Sequence, residues 1–190
     1  MSLESNPQIL DELKRRLTPI RLFAFDVDGV VTDGGISMGP GDLEVLRFDV
    51  KDGSALSMAL RSDYLVAFIT GRKSPVTVRR AEMLGIKEIH IGVSNKRAVL
   101  AGLAEKYALS RSQILFMGDD ILDLSAFSEA GFCACPADAA EDVLGKADYR
   151  CSHRGGRGAV REVIELVMRT QGTWVAAVER IIGRHPHVTQ

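Results

Sequence analysis

Four short clusters of this 190-residue chain hold acidic and polar side chains whose types and spacing suit chemistry. Asp26 and Asp28 stand in Phe25-Asp-Val-Asp-Gly-Val-Val-Thr32, and Thr70 stands in Ile69-Thr-Gly-Arg72. Lys96 ends Ser94-Asn-Lys96, and Asp119, Asp120 and Asp123 share Met117-Gly-Asp-Asp-Ile-Leu-Asp123. Carboxylate oxygens from Asp26 and Asp119, with a main-chain carbonyl at Asp28, are what Mg²⁺ accepts when waters and a phosphate complete an octahedron. A carboxylate held in this way can attack phosphorus and form an aspartyl-phosphate that water later hydrolyses. Such an in-line displacement needs groups that are positioned and charge that is neutralised. Lys96 can offset the equatorial oxygens, while the Thr70 hydroxyl and the N–H groups of the Asp28-Gly29 turn can donate to them. Asp28, two residues beyond Asp26, points the same way in an extended chain. It could protonate the leaving alcohol and then deprotonate the attacking water. Gly29 lets the chain turn without a side chain crowding the phosphate.

Residues so far apart meet only if a fold brings them together, and the hydrophobic pattern supplies one. Apolar runs of strand length occur at Leu22 to Val27, Tyr64 to Thr70, Glu88 to Ile91, Ile114 to Met117 and Phe132 to Cys135. Helix-like stretches lie between and after them, at Ser54 to Arg61, Pro75 to Leu84, Lys96 to Tyr107, Leu122 to Ala130 and Asp138 to Leu144. Strands apolar on both faces, alternating with helices, predict an α/β fold: a Rossmann-like, doubly wound parallel sheet covered on both sides. In such a sheet ligands bind beyond the carboxyl ends of the strands, where all four clusters fall. Asn6-Pro7 caps a predicted helix that Ile9, Leu10, Leu13 and Leu17 make amphipathic, and Thr18-Pro19 stops it. Helices at Gly158 to Thr170 and Trp174 to Ile182 close the chain, and the tail around His185-Pro186-His187 is expected to fray. The chain is expected to form one domain over residues 1–190. Residues 1–19 form its N-terminal helical extension and residues 154–190 its C-terminal loop and helices.

One segment breaks the alternation. Gly35 to Met38 and Leu43 to Asp49 predict two strands joined by Gly39-Pro-Gly-Asp42, a hairpin within residues 33–50. Its Ile36, Met38, Leu43, Val45, Leu46 and Phe48 exceed what a free hairpin comfortably exposes, so it is expected to pack against something, another subunit being one candidate.

Composition narrows the function. Twenty-four Lys and Arg against 25 Asp and Glu lack the basic excess of a protein that clamps nucleic-acid backbones, so no nucleic-acid partner is expected. No apolar run reaches the ~20 residues of a membrane span, and Glu4, Asp11 and Glu12 precede any hydrophobic block, so neither membrane nor secretory signal is expected. Three cysteines make no disulfide framework. Cys133 and Cys135 alternate on one strand as small buried hydrophobes, with no Cys/His spacing for zinc. A cytoplasmic enzyme is the expectation.

The four clusters together resemble those of haloacid dehalogenase superfamily phosphatases, in order and spacing, over nearly the whole chain from Leu22 onward. The resemblance implies Asp26 as nucleophile, Asp28 as general acid/base and Asp119 as Mg²⁺ ligand beside Asp26 and Asp28. Asp120 and Asp123 would hold metal-bound water or neighbouring groups, or serve structure alone. Within the superfamily the chain resembles the small capless branch of 3-deoxy-D-manno-octulosonate 8-phosphate phosphatases, whose sialic-acid-type relatives act on nonulosonate 9-phosphates. The hairpin, Phe48-Asp-Val-Lys-Asp-Gly53 and Gly155-Gly-Arg-Gly-Ala-Val-Arg-Glu162 carry this likeness. Only 44 positions separate Asp26 from Thr70 and 26 separate Thr70 from Lys96, which leaves no room for a cap domain. The resemblance implies a homotetramer assembled through the hairpins, a small phosphorylated sugar-acid substrate, and a neighbour's C-terminal segment closing the site. Thr32, Lys51, Asp52, Gly71, Arg72 and Arg157 are the candidate substrate contacts, with a helix-entry loop the other reading of the Arg157 segment. Lys51 departs from the octulosonate phosphatases, which commonly carry Arg there, and a point charge replaces a planar fork. Receiver domains of signalling proteins also hold an aspartyl-phosphate at a sheet edge, but they need no acid for an alcohol leaving group. Asp28 therefore argues for turnover.

Overall fold

The computed structural model describes residues 7–41 and 43–183; the Asn6 cap, Asp42 of the hairpin turn and the tail around His185 lie outside them. After helix α1 (Pro7–Leu17), strand β1 (Leu22–Phe25) leads to the hairpin β2 (Thr32–Met38) and β3 (Glu44–Phe48). Then follow α2 (Val50–Leu60), β4 (Leu65–Ile69), α3 (Pro75–Leu84), β5 (Glu88–His90), α4 (Lys96–Lys106), β6 (Ile114–Met117) and α5 (Leu124–Phe127). The chain ends with β7 (Phe132–Cys135), α6 (Glu141–Leu144), β8 (Tyr149–Arg150), α7 (Ala159–Thr170) and α8 (Trp174–Ile182).

Six strands pair in parallel in the order β5-β4-β1-β6-β7-β8, and the hairpin forms a separate two-stranded antiparallel ribbon. Period-2 alternation sends Phe23, Phe25, Phe68 and Met117 into one layer with α2, α7 and α8, and Leu22, Ala24, Ile69 and Phe116 into the other with α4, α5 and α6. Cys133 and Cys135 share the second layer, and Trp174 packs in the first. All three cysteines are buried and free. Among the described residues no helix is long and apolar enough to cross a membrane.

Some bounds differ from those expected of the sequence. The helix placed at Ser54 begins at Val50, because Asp49 caps it by accepting from the N–H groups of Lys51 (2.6 Å) and Asp52 (3.1 Å). Gly53 lies inside α2 beside α3, and a Cβ there would displace the end of the Arg80 side chain. The helix placed at Leu122 begins as a 3₁₀ turn over Ile121–Asp123, and the one placed at Asp138 shrinks to Glu141–Leu144. β8 carries no strand signal of its own; two residues beside β7 suffice. Leu10, placed on the buried stripe of α1, is exposed, while Leu17 is buried.

The hairpin registers Ile36 opposite Leu46 and Met38 opposite Glu44, with an irregularity between Thr32 and Ile36. Leu46 is buried, but Ile36 (43% exposed), Met38 (76%) and Val45 (55%) are not.

Candidate active site

β1, β4 and β6 are adjacent, and the chain beyond each carboxyl end carries one cluster. They open into a cleft of about 520 Å³ lined by Asp26, Asp28, Thr70, Arg72, Lys96 and Asp119 among others. Gly71, Asp120, Leu122 and Asp123 also line it.

Asp26 extends β1 by one hydrogen bond, donating its N–H to Met117 O at 2.9 Å, and is buried. The chain then curls around the Val27 carbonyl, which accepts from the N–H groups of Val31 and Thr32 at 2.9 Å each. Thr32 is wholly buried, and its hydroxyl accepts from Gly29 N and Gly34 N and donates to Val27 O, each at 3.3 Å. Thr32, a candidate substrate contact, has its oxygen occupied in shaping the loop. The Gly29 N–H, expected to face phosphate, bonds Thr32 instead. Gly29 takes φ +86°, and a Cβ there would overlap the Asp119 carboxylate.

Lys96 is the first residue of α4, whose N-cap Asn95 accepts from Ala98 N at 3.0 Å. Its buried ammonium lies 2.6 Å from Asp26 Oδ1 and 2.6 Å from Asp123 Oδ1. Asp123 is fully buried and also accepts from the N–H groups of Asp119 (2.9 Å) and Asp120 (3.2 Å), so it fixes the loop after β6. Gly118 accommodates it, since a Cβ would collide with the Asp123 side chain. Asp120 is exposed and bonds the N–H of Ile121 at 2.7 Å.

Asp26, Asp119 and Asp123 each bring a carboxylate oxygen within 4.8 Å of the others. Burial, then the charges of Asp26 and Asp123, push Asp119 up to about 8. Burial, then Asp123, push Asp26 up to about 6 against the pull of Lys96. Asp119 Oδ1 is buried with no partner among the described residues. Three crowded carboxylates, one with an orphaned oxygen, against a single ammonium are a donor set that fits a hard divalent cation. Asp28, expected to reach the cation through its carbonyl, lies outside this side-chain group. Its Oδ2 instead accepts from Arg72 Nε (3.0 Å) and Thr70 Oγ1 (3.3 Å).

Other candidates lie elsewhere. Asp52 is buried in the first turn of α2 and accepts from Gly158 N (3.1 Å) and Arg161 N (2.8 Å). It caps α7, whose own N-cap is a glycine with no side chain to offer. Asp52, a candidate substrate contact, thus ties the start of α2 to the start of α7. Lys51 and Arg157 leave the Asp26 cleft for a second one of about 560 Å³ beside His153 and Glu162, and Arg157 bonds Asp33 at 3.1 Å. Within this chain they do not reach Asp26. Their segment has a packing reason: Gly155 and Gly156 run against the backbone of Gly29 and Thr32, where any Cβ would overlap, and Gly156 N donates to Val30 O at 2.9 Å.

Glu44 escaped the sequence reading. From β3 it reaches Arg72 Nη1 and Ser74 Oγ, each at 2.6 Å. A lone acid at a hairpin edge gives no pattern signal.

Residues 81–164 match the family model of the haloacid dehalogenase-like hydrolases. The 3-deoxy-D-manno-octulosonate 8-phosphate phosphatase KdsC of Escherichia coli K12 is 42% identical over 153 residues, 80% of this chain and 81% of the relative. A crystal structure of such a phosphatase from Moraxella catarrhalis, in complex with magnesium, phosphate and KDO, superposes with a TM-score of 0.87 at 37% identity. The match covers 90% of this chain and 99% of that one. The cobalt-bound enzyme from Haemophilus influenzae aligns with a TM-score of 0.79 at 35% identity, over 83% of this chain and 92% of its own.

Proposed function

The chain belongs to the haloacid dehalogenase-like hydrolases, within them to the family of 3-deoxy-D-manno-octulosonate 8-phosphate phosphatases, and from that premise we propose that it hydrolyses 3-deoxy-D-manno-octulosonate 8-phosphate. The observation that carries the reading is a single cleft holding Asp26 against Lys96, with Asp28 and Asp119 on either side.

Asp26 attacks phosphorus, its oxygen forming the new P–O bond as the bond to the sugar oxygen breaks. Asp28 gives that oxygen a proton. Water then attacks the aspartyl-phosphate and loses its proton to Asp28, and phosphate departs as Asp26 is freed. Lys96 and the Thr70 hydroxyl offset the charge on the transferring oxygens. Asp26, Asp119 and the Asp28 carbonyl would hold Mg²⁺, which when bound supplies positive charge to the phosphate oxygens. Asp123 holds Lys96 and the Asp119 loop in register.

A homotetramer is supported by the exposed Ile36, Met38 and Val45. In such an assembly Lys51 and Arg157 would meet substrate from a second subunit. Three buried, unpaired cysteines support a reducing cytoplasm. Lys51 keeps an N-acylneuraminate or KDN 9-phosphate as the alternative substrate, since an ammonium grips a carboxylate less selectively than a guanidinium.

Phosphate release with Mg²⁺ decides the matter, on octulosonate 8-phosphate, two nonulosonate 9-phosphates and simple sugar phosphates, with Asp26→Asn as blank. A preference of about 100-fold for the octulosonate, worth about 2.7 kcal/mol in the transition state, is expected. Flat activity across the panel would remove the sugar-acid assignment and leave the phosphatase chemistry.

A further inference from the structure

The hairpin reaches the acid–base carboxylate through one side chain. Glu44, the first residue of β3, is 14% exposed and sits 2.6 Å from Arg72 Nη1, while Arg72 Nε donates to Asp28 Oδ2 at 3.0 Å. A free arginine side chain samples many rotamers. Carboxylates at both Nε and Nη1 leave this guanidinium one orientation. Oδ2 of Asp28 also accepts from Thr70, so both of its close donors are on one side. Oδ1 is buried and has no partner among the described residues. The side chain as a whole is 23% exposed and lines the cleft, with its orientation set by Arg72 and Thr70.

We propose that Glu44 is a positioning residue for the acid–base step: by clamping Arg72 it holds the Asp28 carboxylate in one orientation in the cleft. The inference rests on the acid–base role of Asp28 proposed above. Glu44 itself touches no reacting atom. The competing explanation is that it merely holds Ser74 Oγ, the cap of α3, at 2.6 Å.

Leaving-group dependence separates the two. When the aspartyl-phosphate forms, the P–O bond to the alcohol breaks and the departing oxygen takes the proton of Asp28. An alkoxide is too basic to leave unaided, whereas p-nitrophenolate departs without an acid. kcat/KM reports steps up to this first transfer, so the measured quantity is kcat/KM for an alkyl phosphate divided by that for p-nitrophenyl phosphate. Glu44→Gln should lower this ratio about tenfold, a share of the roughly 10²-fold or more that general acid help supplies. The amide oxygen still accepts from Ser74, so α3 stays capped. Arg72→Gln should lower the ratio similarly, and the double variant no further, because Glu44 acts only through Arg72. Ser74→Ala should lower Tm and leave the ratio alone.

An unchanged ratio in Glu44→Gln, multiplying effects in the double variant, or an equal fall in Ser74→Ala would each overturn the proposal. If Glu44→Gln does not fold, Arg72→Lys, which keeps the charge and loses the fork, carries the same measurement. The ratio can be read with any alkyl phosphate the enzyme hydrolyses. A failed octulosonate preference would thus sink the substrate reading without touching Glu44.

Discussion

The carboxylate of Asp119 rests against the α-carbon of Gly29, at the spot where any other residue would put its Cβ. The two residues are 90 positions apart in the chain, on the loops that follow β1 and β6. Their contact sets the distance between the loop after Asp26 and the carboxylate with the orphaned oxygen. Gly29→Ala should therefore injure the site twice. The φ of +86° costs a non-glycine residue about 1–2 kcal/mol, and the added methyl pushes Asp119 aside. A fall in Tm together with a weaker Mg²⁺ requirement curve, measured by titrating Mg²⁺ against phosphate release, is expected. Gly145→Ala, at φ −78° with open space around it, is the control and should leave both intact.

Asp52 is a test of structure against recognition. Asp52→Ala leaves the N–H groups of Gly158 and Arg161 without their acceptor, at a cost of about 1–3 kcal/mol. Thermal unfolding should show that loss, while KM for the octulosonate moves little. A large rise in KM with an unchanged Tm would place Asp52 among the substrate contacts.

Removing divalent cations should expose the repulsion among Asp26, Asp119 and Asp123. Raised carboxylates mean that the folded protein keeps protons the unfolded chain has released. Stability of the cation-free protein then falls as pH climbs from the ordinary carboxylate value near 4 through about 6 for Asp26 and about 8 for Asp119. In chelator, Tm should be lower at pH 8 than at pH 6, and millimolar Mg²⁺ should restore more at pH 8. Asp26→Asn, expected to abolish turnover, should also flatten the chelator curve by deleting one of the three charges. A wild-type curve no steeper than that of the variant would contradict the charge cluster.

The hairpin's exposed face predicts the assembly. Ile36→Asp with Met38→Asp places two charges on one face of the ribbon, a face that a partner subunit would have to cover. Sedimentation should show the wild-type protein as an oligomer and the double variant as a smaller species that keeps its far-ultraviolet circular dichroism. Identical masses would mean that these side chains face water in solution.

Much of this protein was legible as sequence because the signals are local. Parallel strands buried on both faces read as apolar runs, and the rule that ligands collect beyond their carboxyl ends gathers Asp26, Thr70, Lys96 and Asp119 from one string of letters. Gly29 was expected to serve a turn, and it does. What sequence left open depends on who meets whom across the fold. Asp52 and Lys51 are neighbours in the chain, yet the pitch of α2 turns one toward the buried start of α7 and leaves the other at the surface. Thr32 reads as a substrate contact, and the structure shows its hydroxyl bonded to Gly29, Gly34 and Val27. The Gly155-Gly156 pair reads as a flexible entry to a helix, but its lack of side chains serves a backbone crossing against Gly29 and Thr32. Glu44 carries no motif at all. Residue types and spacing determine which chemistry is available, because ligand preferences and strand periodicity are properties of short segments. Tertiary structure decides which polar atoms remain unpaired, because occupying bonds such as those from Gly158 and Arg161 to Asp52, or from Arg72 to Asp28, come from far along the chain.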